Sequence, residues 1–237
     1  MVEHTIKAFD VDLQALASMV AEMGGLAEKQ IADSVDALAR RDANLAQRVI
    51  AIDPTVDALQ REIEEKAILT IARRQPMAVD LREVVCALRV SNDLERIGDL
   101  AKNISKRVMA LDGEFHPQKL IRGVEHMSSL VLNQLKQVLD AFAGRDLASA
   151  LAVWKGDEEI DAMCTSLFRE LLTYMMEDPR NISFCIHLMF CAKNIERIGD
   201  HATNIAETVF YMIEGQQMLD KRPKGDMTTF ATTVPGN

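Results

Sequence analysis

Hydrophobic residues recur at alternating spacings of three and four along most of this chain, which is the pattern of long amphipathic helices that pack together. The pattern is clearest in two segments of nearly the same sequence. Residues 93–104 read D-L-E-R-I-G-D-L-A-K-N-I, and residues 194–205 read N-I-E-R-I-G-D-H-A-T-N-I. Because the segment occurs twice, we expect two similar halves in one molecule.

Turn signals divide the first half into three predicted helices. The first runs from about residue 5 to 38, and Arg40-Arg41-Asp42 marks the turn after it. The second ends near Arg74, because Pro76 disfavours helix at the residue before it. The third is predicted over about 78–111.

The second half repeats this plan. Its predicted helices cover about 119–142, continue after the turn Gly144-Arg145-Asp146 to about Glu177, and resume after Asp178-Pro179 to about Ile213. Short connections make antiparallel neighbours. The predicted fold is therefore all-α, with two tandem, similar three-helix bundles.

The domain boundaries follow from the linker signals. Asp112-Gly113 and His116-Pro117 form the longest predicted connection, so the first bundle is assigned to residues 1–113 and the second to 114–215. Residues 216–237 are polar and lack helical periodicity, and we expect them to be poorly ordered.

Composition narrows the class of protein. Aromatic residues make up 5% of the 237 residues, and Gly and Pro are few, which is typical of a soluble helical protein. The formal net charge of -9 argues against a nucleic-acid partner, whose phosphates require clustered basic residues. The four cysteines are expected to be reduced core residues in the cytoplasm. The most apolar run, residues 182–192, is too short to insert across a bilayer.

Acidic pairs lie on neighbouring predicted helices at matched heights. In each half, the second helix carries an Asp-x-x-x-Asp pair and the third a Glu-x-x-x-Asp pair, with the break between the helices midway between them. Antiparallel packing should therefore bring the pairs to one level. The first group is Asp53, Asp57, Glu95 and Asp99, and the second is Asp157, Asp161, Glu196 and Asp200.

Carboxylates gathered at one level predict a bound cation, because uncompensated they would repel one another. Oxygen ligands suit Mg²⁺, Mn²⁺ or oxidised iron, and Asn103 and Asn204 could add amide oxygens. With side chains about 100° apart around a helix, Glu95 and Asp99 point away from the apolar stripe, so we expect the groups at the surface or in a groove. Solvated acidic faces without metal are the structural alternative.

Three further features of the repeated segment have local interpretations. Glycine inside a helix costs about 1 kcal/mol relative to alanine, so Gly98 and Gly199 indicate either a special role or close helix crossing. Arg96 and Arg197 are expected to form ion pairs that hold carboxylates in place. His201 has leucine at the equivalent position of the first copy and is expected to be a bystander.

The chain lacks the catalytic motifs of several enzyme classes. It contains no H-E-x-x-H, no E-x-x-H, no phosphate-binding G-x-x-x-x-G-K and no G-x-S-x-G. We therefore expect a protein without enzymatic activity. A metal-dependent hydrolase that uses the carboxylates as a multi-metal centre is one alternative, and a purely structural helical module is another.

The sequence strongly resembles the PhoU family of phosphate-signalling proteins from about Ala8 to Gly215. The most specific parts are the two E-R-I-G-D segments, Met23-Gly24-Gly25, Arg74-Gln75-Pro76 with Asp80-Leu81-Arg82, and Y-M-M-E-D at residues 174–178. The resemblance implies two three-helix bundles, usually in a dimer or larger assembly. It also implies that the eight carboxylates named above bind Mg, Mn, Fe or Zn ions, often as multinuclear surface clusters.

The resemblance further implies a role in negative regulation of the phosphate-starvation response. A PhoU-like protein couples the nucleotide-binding side of the phosphate-specific ABC transporter to its membrane sensor histidine kinase when phosphate is plentiful, and it restrains phosphate uptake. The implied partners are these two proteins and a second copy of the chain. We expect metal at the carboxylates to rigidify the bundles or to bridge them to acidic partner surfaces.

Overall fold

The computed structural model describes residues 2–111 and 118–219, and it describes side chains from Phe9 to Leu111 and from Lys119 to Leu219. In these ranges the chain forms long α-helices and one short 3₁₀ turn at Pro179–Asn181. The helices are α1 (Val2–Arg40), α2 (Ala43–Arg74), α3 (Val79–Ala110), α4 (Gln118–Gly144), α5 (Leu147–Glu177) and α6 (Ile182–Glu214).

The turn between the first two helices of each half has the same construction. Arg41 and Arg145 adopt left-handed backbone conformations, with φ of 57° and 52°. The aspartate that follows each of them caps the next helix. Asp42 accepts a hydrogen bond of 2.9 Å from the Leu45 amide, and Asp146 accepts one of 2.9 Å from the Ala148 amide. The repeat is therefore visible in helix capping as well as in sequence.

Each half packs as a three-helix bundle. Helices α1, α2 and α3 contact one another pairwise, as do α4, α5 and α6, while α3 packs on α6 and α1 on α4 across the halves. The predicted all-α fold with two tandem bundles is confirmed. The predicted boundary at residues 113 and 114 lies outside the described residues, and so does the tail beyond residue 219. Met218, assigned to the tail, packs against the core.

The two halves share one continuous hydrophobic core. Gly24 allows close contact between α1 and α4, because a Cβ atom there would lie 2.7 Å from Leu139 Cδ1. Where α3 crosses α6, the Arg89 guanidinium stacks 4.8 Å from the centroid of the Tyr211 ring. At the other end of the same crossing, Arg107 stacks 4.2 Å from the Phe190 ring. The α3–α6 pair is therefore antiparallel and joins the halves along its length.

The remaining local predictions concern cysteines, proline and hydropathy. Cys86, Cys164, Cys185 and Cys191 are free and buried, as expected of core thiols. Helix α2 continues through Pro54 and still directs Asp53 into the bundle. Among the described residues, none of the helices combines the length and apolar character needed to cross a bilayer.

Candidate functional site

The first carboxylate group lies between α2 and α3 and contains a lysine. Lys102 on α3 places its Nζ atom 2.6 Å from Asp53 Oδ2 on α2 and 2.6 Å from Asp99 Oδ1 on its own helix. Burial alone would lower the pKa of Lys102, but the hydrogen bonds and charges of the two aspartates outweigh burial and raise it. The ammonium thus ties α2 to α3 at the level of the acidic pairs.

The other members of the first group surround this ion pair. Burial raises the pKa of Glu95, Arg96 opposes that shift, and the charges of Asp99, Asp57 and Asp53 add to it. The structure therefore brings the first four predicted carboxylates into electrostatic contact. Arg96 lies 3.4 Å from Glu95 Oε2 and 3.7 Å from Asp99 Oδ2, in agreement with its predicted ion-pairing role.

The second group, between α5 and α6, lies deeper. Asp157, Asp161 and Glu196 are only 2%, 3% and 5% exposed. Thr203 donates a hydrogen bond of 3.2 Å to Asp157 Oδ1. Lys193 lies 2.9 Å from Glu196 Oε1, while the buried Oε2 atom has no hydrogen-bond partner in the described part of the chain.

Burial also raises the pKa of one member of the second group, Glu196. Desolvation raises the pKa of Glu196 to about 6, the ion pair with Lys193 lowers it, and the charges of Asp200 and Asp161 raise it further. Three of the four predicted carboxylates therefore sense one another, and the fourth, Asp157, is held by Thr203 from α6. The predicted matching of heights holds in both halves.

The prediction that the groups lie at the surface or in a groove is wrong for the second half. The prediction used only the direction of side chains on a single helix. In the second half, the neighbouring helix of the α5–α6 pair covers these side chains. Gly199 lets α6 approach α5 closely, since a Cβ atom there would lie 3.1 Å from Ile160 Cδ1. In the first half Gly98 faces α1 instead, since a Cβ atom there would lie 3.0 Å from Gln30 Oε1. Close helix crossing therefore accounts for both glycines.

The donor chemistry fits a hard cation better in the second half than in the first. The second half holds buried carboxylates with an unpartnered Glu196 oxygen, whereas an ammonium already joins two carboxylates in the first. Over the described residues, no group of three or more His, Cys, Asp and Glu side chains converges closely enough to hold a metal ion. Metal binding by the eight carboxylates stays a prediction.

Sequence reasoning missed two buried amides at equivalent positions of the halves. Gln30 on α1 and Gln134 on α4 each lie twelve residues before the aspartate that caps the next helix. Gln30 is 1% exposed, and within the described ranges neither its Oε1 nor its Nε2 has a hydrogen-bond partner; the same is true of Gln134 Oε1. The available signal was a glutamine repeated inside the apolar stripe of the first helix of each half.

His201 and Asn204 point away from the carboxylates of their own half. His201 Nδ1 lies 2.8 Å from Asp93 Oδ1 on α3, and Asn204 donates a hydrogen bond of 3.3 Å to the same oxygen. The Asn204 amide, whose oxygen was expected to join the second group, thus donates its N–H to a contact between the halves. Asn103, its counterpart, is exposed.

Comparison with known proteins supports this description of two similar halves. The model of the PhoU domain matches residues 20–108 and 124–209, one copy in each bundle. The phosphate-specific transport system accessory protein PhoU homolog of Rhizobium meliloti (strain 1021) is 59% identical over 231 residues, covering 98% of each chain. The homolog from Caulobacter vibrioides (strain NA1000 / CB15N) is 53% identical over 96% of this chain and 99% of that protein.

Solved structures agree with the sequence matches. The crystal structure of PhoU from Pseudomonas aeruginosa superposes with a TM-score of 0.82 at 41% identity, covering 88% of this chain and all of that one. The phosphate transport system regulatory protein PhoU from Streptococcus pneumoniae gives a TM-score of 0.81 at 27% identity, over 89% of this chain and 99% of that one. This chain therefore belongs to the PhoU family, whose named relatives here are accessory and regulatory proteins of phosphate transport.

Proposed function

We propose that this protein is a negative regulator of the phosphate-starvation response. In the proposal it acts in the cytoplasm as an adaptor between the phosphate-specific ABC transporter and its membrane sensor histidine kinase, and it restrains phosphate uptake. The observation that carries the proposal is the match over 98% of both chains to a phosphate-specific transport accessory protein. The 59% identity over that length favours the same role.

An adaptor needs a surface for its partners, and α6 offers one. Ile182, Ile186 and Phe190 are exposed and spaced four residues apart, so they form an apolar stripe on one face of the helix. Exposed apolar patches on soluble proteins commonly mark protein contacts. We propose that this stripe contacts the transporter's nucleotide-binding subunit.

The metal part of the proposal rests on the donor set. Asp157, Asp161, Glu196 and Asp200 would hold a hard divalent ion in the second half, and Asp53, Asp57, Glu95 and Asp99 in the first. A bound ion would supply positive charge between the second and third helices of a bundle. Its expected effect is to rigidify each helix pair, and we propose that the rigid form is the one that binds partners, as a homodimer.

Binding to the purified nucleotide-binding subunit tests the adaptor proposal. The full-length protein is mixed with that subunit in Mn²⁺ and then in chelator, with bound metal measured in the same samples. Binding that requires metal supports the whole proposal, and binding indifferent to metal retains the adaptor while removing the metal switch. Absence of binding to both the subunit and the kinase, with the chain folded, contradicts the adaptor role.

A pair of matched variants sharpens the test. Ile186→Asp places a charge in the α6 stripe and is expected to weaken binding to the subunit at least about tenfold, because a buried charge without a partner is costly. Val11→Asp introduces the same charge at an exposed apolar residue of α1 and serves as the control. Equal loss with both variants would show that the stripe is not the contact surface. Divalent-dependent phosphoester turnover lost in Asp99→Asn and Asp200→Asn would instead favour the hydrolase.

A further inference from the structure

A cavity of about 560 Å³ opens between α1 and α4, on the seam where the two halves meet. Small-molecule sites in proteins have volumes of about 300–1,000 Å³ and combine apolar walls with a few polar groups. The described lining of this cavity includes none of the eight predicted metal ligands and no residue of the α6 stripe. It is therefore a separate candidate site.

The inner wall of the cavity is apolar and comes from both halves. Leu16 and Val20 on α1 are each 1% exposed, and Met212 on α6 is 6% exposed. Phe142 on α4 and Ala87 on α3 also line the cavity. Because the wall combines residues of four helices, a ligand bound there would contact both halves at once.

Gly25 keeps part of the cavity open. Its neighbour Gly24 packs against Leu139 of α4, but a Cβ atom at Gly25 would meet no neighbouring side chain within 4 Å in the described part of the chain. Glycine inside a helix costs about 1 kcal/mol relative to alanine, so close packing explains the first glycine of the pair and not the second. Gly25 follows Ala17 and Ala21 at intervals of four, and all three line the cavity.

Carboxylates outnumber basic groups around the cavity. Arg145 lies 2.6 Å from Glu83 Oε1, so these two charges balance each other. Lys136 is the other basic residue of the described lining. Three further carboxylates line the cavity: Asp10, Glu28 and Asp140. Burial raises the pKa of Glu28, the charge of Lys136 lowers it, and that of Asp140 raises it, so groups of α1 and α4 act on one another. The excess of negative charge favours a cationic ligand.

We propose that this cavity binds a small amphipathic cation, with its apolar body against Leu16, Val20 and Met212 and its ammonium group between Glu28 and Asp140. The inference goes beyond the proposed function, since it requires neither metal nor a partner protein. A ligand held by residues of both halves would fix α1 against α4. Binding to the folded chain alone would also raise its thermal stability.

Three probes with the same apolar body and different charges test the inference. The full-length protein is titrated with phenylbutylammonium, phenylbutanoate and phenylbutanol, by calorimetry and by NMR of methyl-labelled methionines. The ammonium is expected to bind at least about tenfold more tightly than the carboxylate, because the lining carries excess negative charge. It should shift the methyl signal of Met212 and leave that of Met109, exposed near the end of α3, unchanged.

Matched variants locate the site. Gly25→Leu fills the open space and is expected to abolish binding, whereas Ser18→Leu, at an exposed position of α1 outside the cavity, should leave it unchanged. Glu28→Gln and Asp140→Asn should each weaken binding of the ammonium and reduce its advantage over the carboxylate. Glu22→Gln removes the same charge from an exposed position of α1 and is the control. Circular dichroism and thermal unfolding establish that each variant is folded.

Several results would overturn the inference. These are binding of the ammonium weaker than about 1 mM, equal binding of the three probes, or binding that a folded Gly25→Leu retains. Self-association of the wild type that Gly25→Leu abolishes, measured by sedimentation, would show that a second copy of the chain covers the cavity and would also overturn it. Each of these results leaves the proposed function in place, because that function is tested by binding to the nucleotide-binding subunit.

Discussion

The two halves share their helices, turns and acidic pairs but neutralise their carboxylates differently. In the first half, Lys102 joins Asp53 and Asp99 within a half-buried group. In the second, Asp157, Asp161 and Glu196 are buried, and burial raises the pKa of Glu196 to about 6. The comparison teaches that a repeated motif positions the side chains, while the residues beside it and the depth of burial determine how each carboxylate is held.

Removing Lys102 should produce the largest change in stability, because this lysine is what distinguishes the first group. Lys102→Met keeps most of the apolar length of the side chain, but it removes the ammonium and leaves two carboxylates facing each other. In chelator, we expect the free energy of unfolding to fall by about 2–3 kcal/mol, less than for a fully buried pair because the group is partly exposed. Thr203→Val, the equivalent change in the second half, removes one hydrogen bond and should cost about 1 kcal/mol. Urea unfolding at low ionic strength measures both.

This prediction depends on the ion pair rather than on packing. A Lys102→Met variant within about 0.5 kcal/mol of wild type would fall in the range of exposed ion pairs and would contradict a sheltered bridge. Repeating the urea titration in high salt tests the same point, because salt screens a sheltered pair only weakly.

Replacing the buried amides Gln30 and Gln134 should raise the stability of the protein, and by different amounts in the two halves. Gln30→Met keeps the volume and removes an amide that has no hydrogen-bond partner among the described residues, so we expect stability to rise by about 1–2 kcal/mol. Gln134→Met should give a smaller gain, because Gln134 is only half-buried. Thermal unfolding of both variants shows which one gains more stability. A loss of stability in Gln30→Met would show that the amide is hydrogen bonded in solution.

The pH dependence of stability should distinguish the second half from the first, because of the buried Glu196. The pKa of Glu196 is about 6 in the folded chain against an ordinary value of 4.5. A carboxyl whose pKa is raised by folding stabilises the fold below its unfolded pKa, and that contribution is lost as the pH rises through the folded value. Without metal, the wild type should lose about 1 kcal/mol from this group between pH 4.5 and 7, after allowance for Lys193 and solvent screening.

The variant Glu196→Gln removes that titration. Relative to wild type, its stability in chelator should rise by about 1 kcal/mol as the pH increases from 4.5 to 7. Glu95→Gln is the matched control. Burial also raises the pKa of Glu95, but the Glu95 side chain is less buried than that of Glu196. Urea midpoints measured at several pH values decide the comparison. Parallel pH profiles for wild type and Glu196→Gln would contradict the raised pKa.

Much of the fold could be read from the sequence because its determinants are local. Apolar spacing, the turn residues before Asp42 and Asp146, and the prolines after Gln75 and Asp178 act within a few residues. The matching of acidic pairs also followed, since two antiparallel helices from one turn bring equidistant residues together. These features require no knowledge of how the bundles pack.

The rest of the candidate site depends on neighbours that periodicity does not identify. The burial of Asp157 and Asp161 follows from how closely α6 approaches α5 at Gly199. Lys102 is one of several charged residues on α3, and only the position of Asp53 on another helix makes it a bridge. Side-chain contacts between helices, rather than helix positions, are what the sequence leaves open here.

The smallest expected effect concerns the arginines shared by both E-R-I-G-D segments. Arg96 contacts Glu95 and Asp99 at 3.4 and 3.7 Å, but its side chain is 64% exposed, and Arg197 is exposed as well. Exposed ion pairs contribute about 0–1 kcal/mol, so Arg96→Ala and Arg197→Ala should each change stability by less than about 0.5 kcal/mol. Urea unfolding of both variants in chelator measures this. A loss from Arg96→Ala as large as that from Lys102→Met would mean that the arginine, and not the lysine, balances the first carboxylate group.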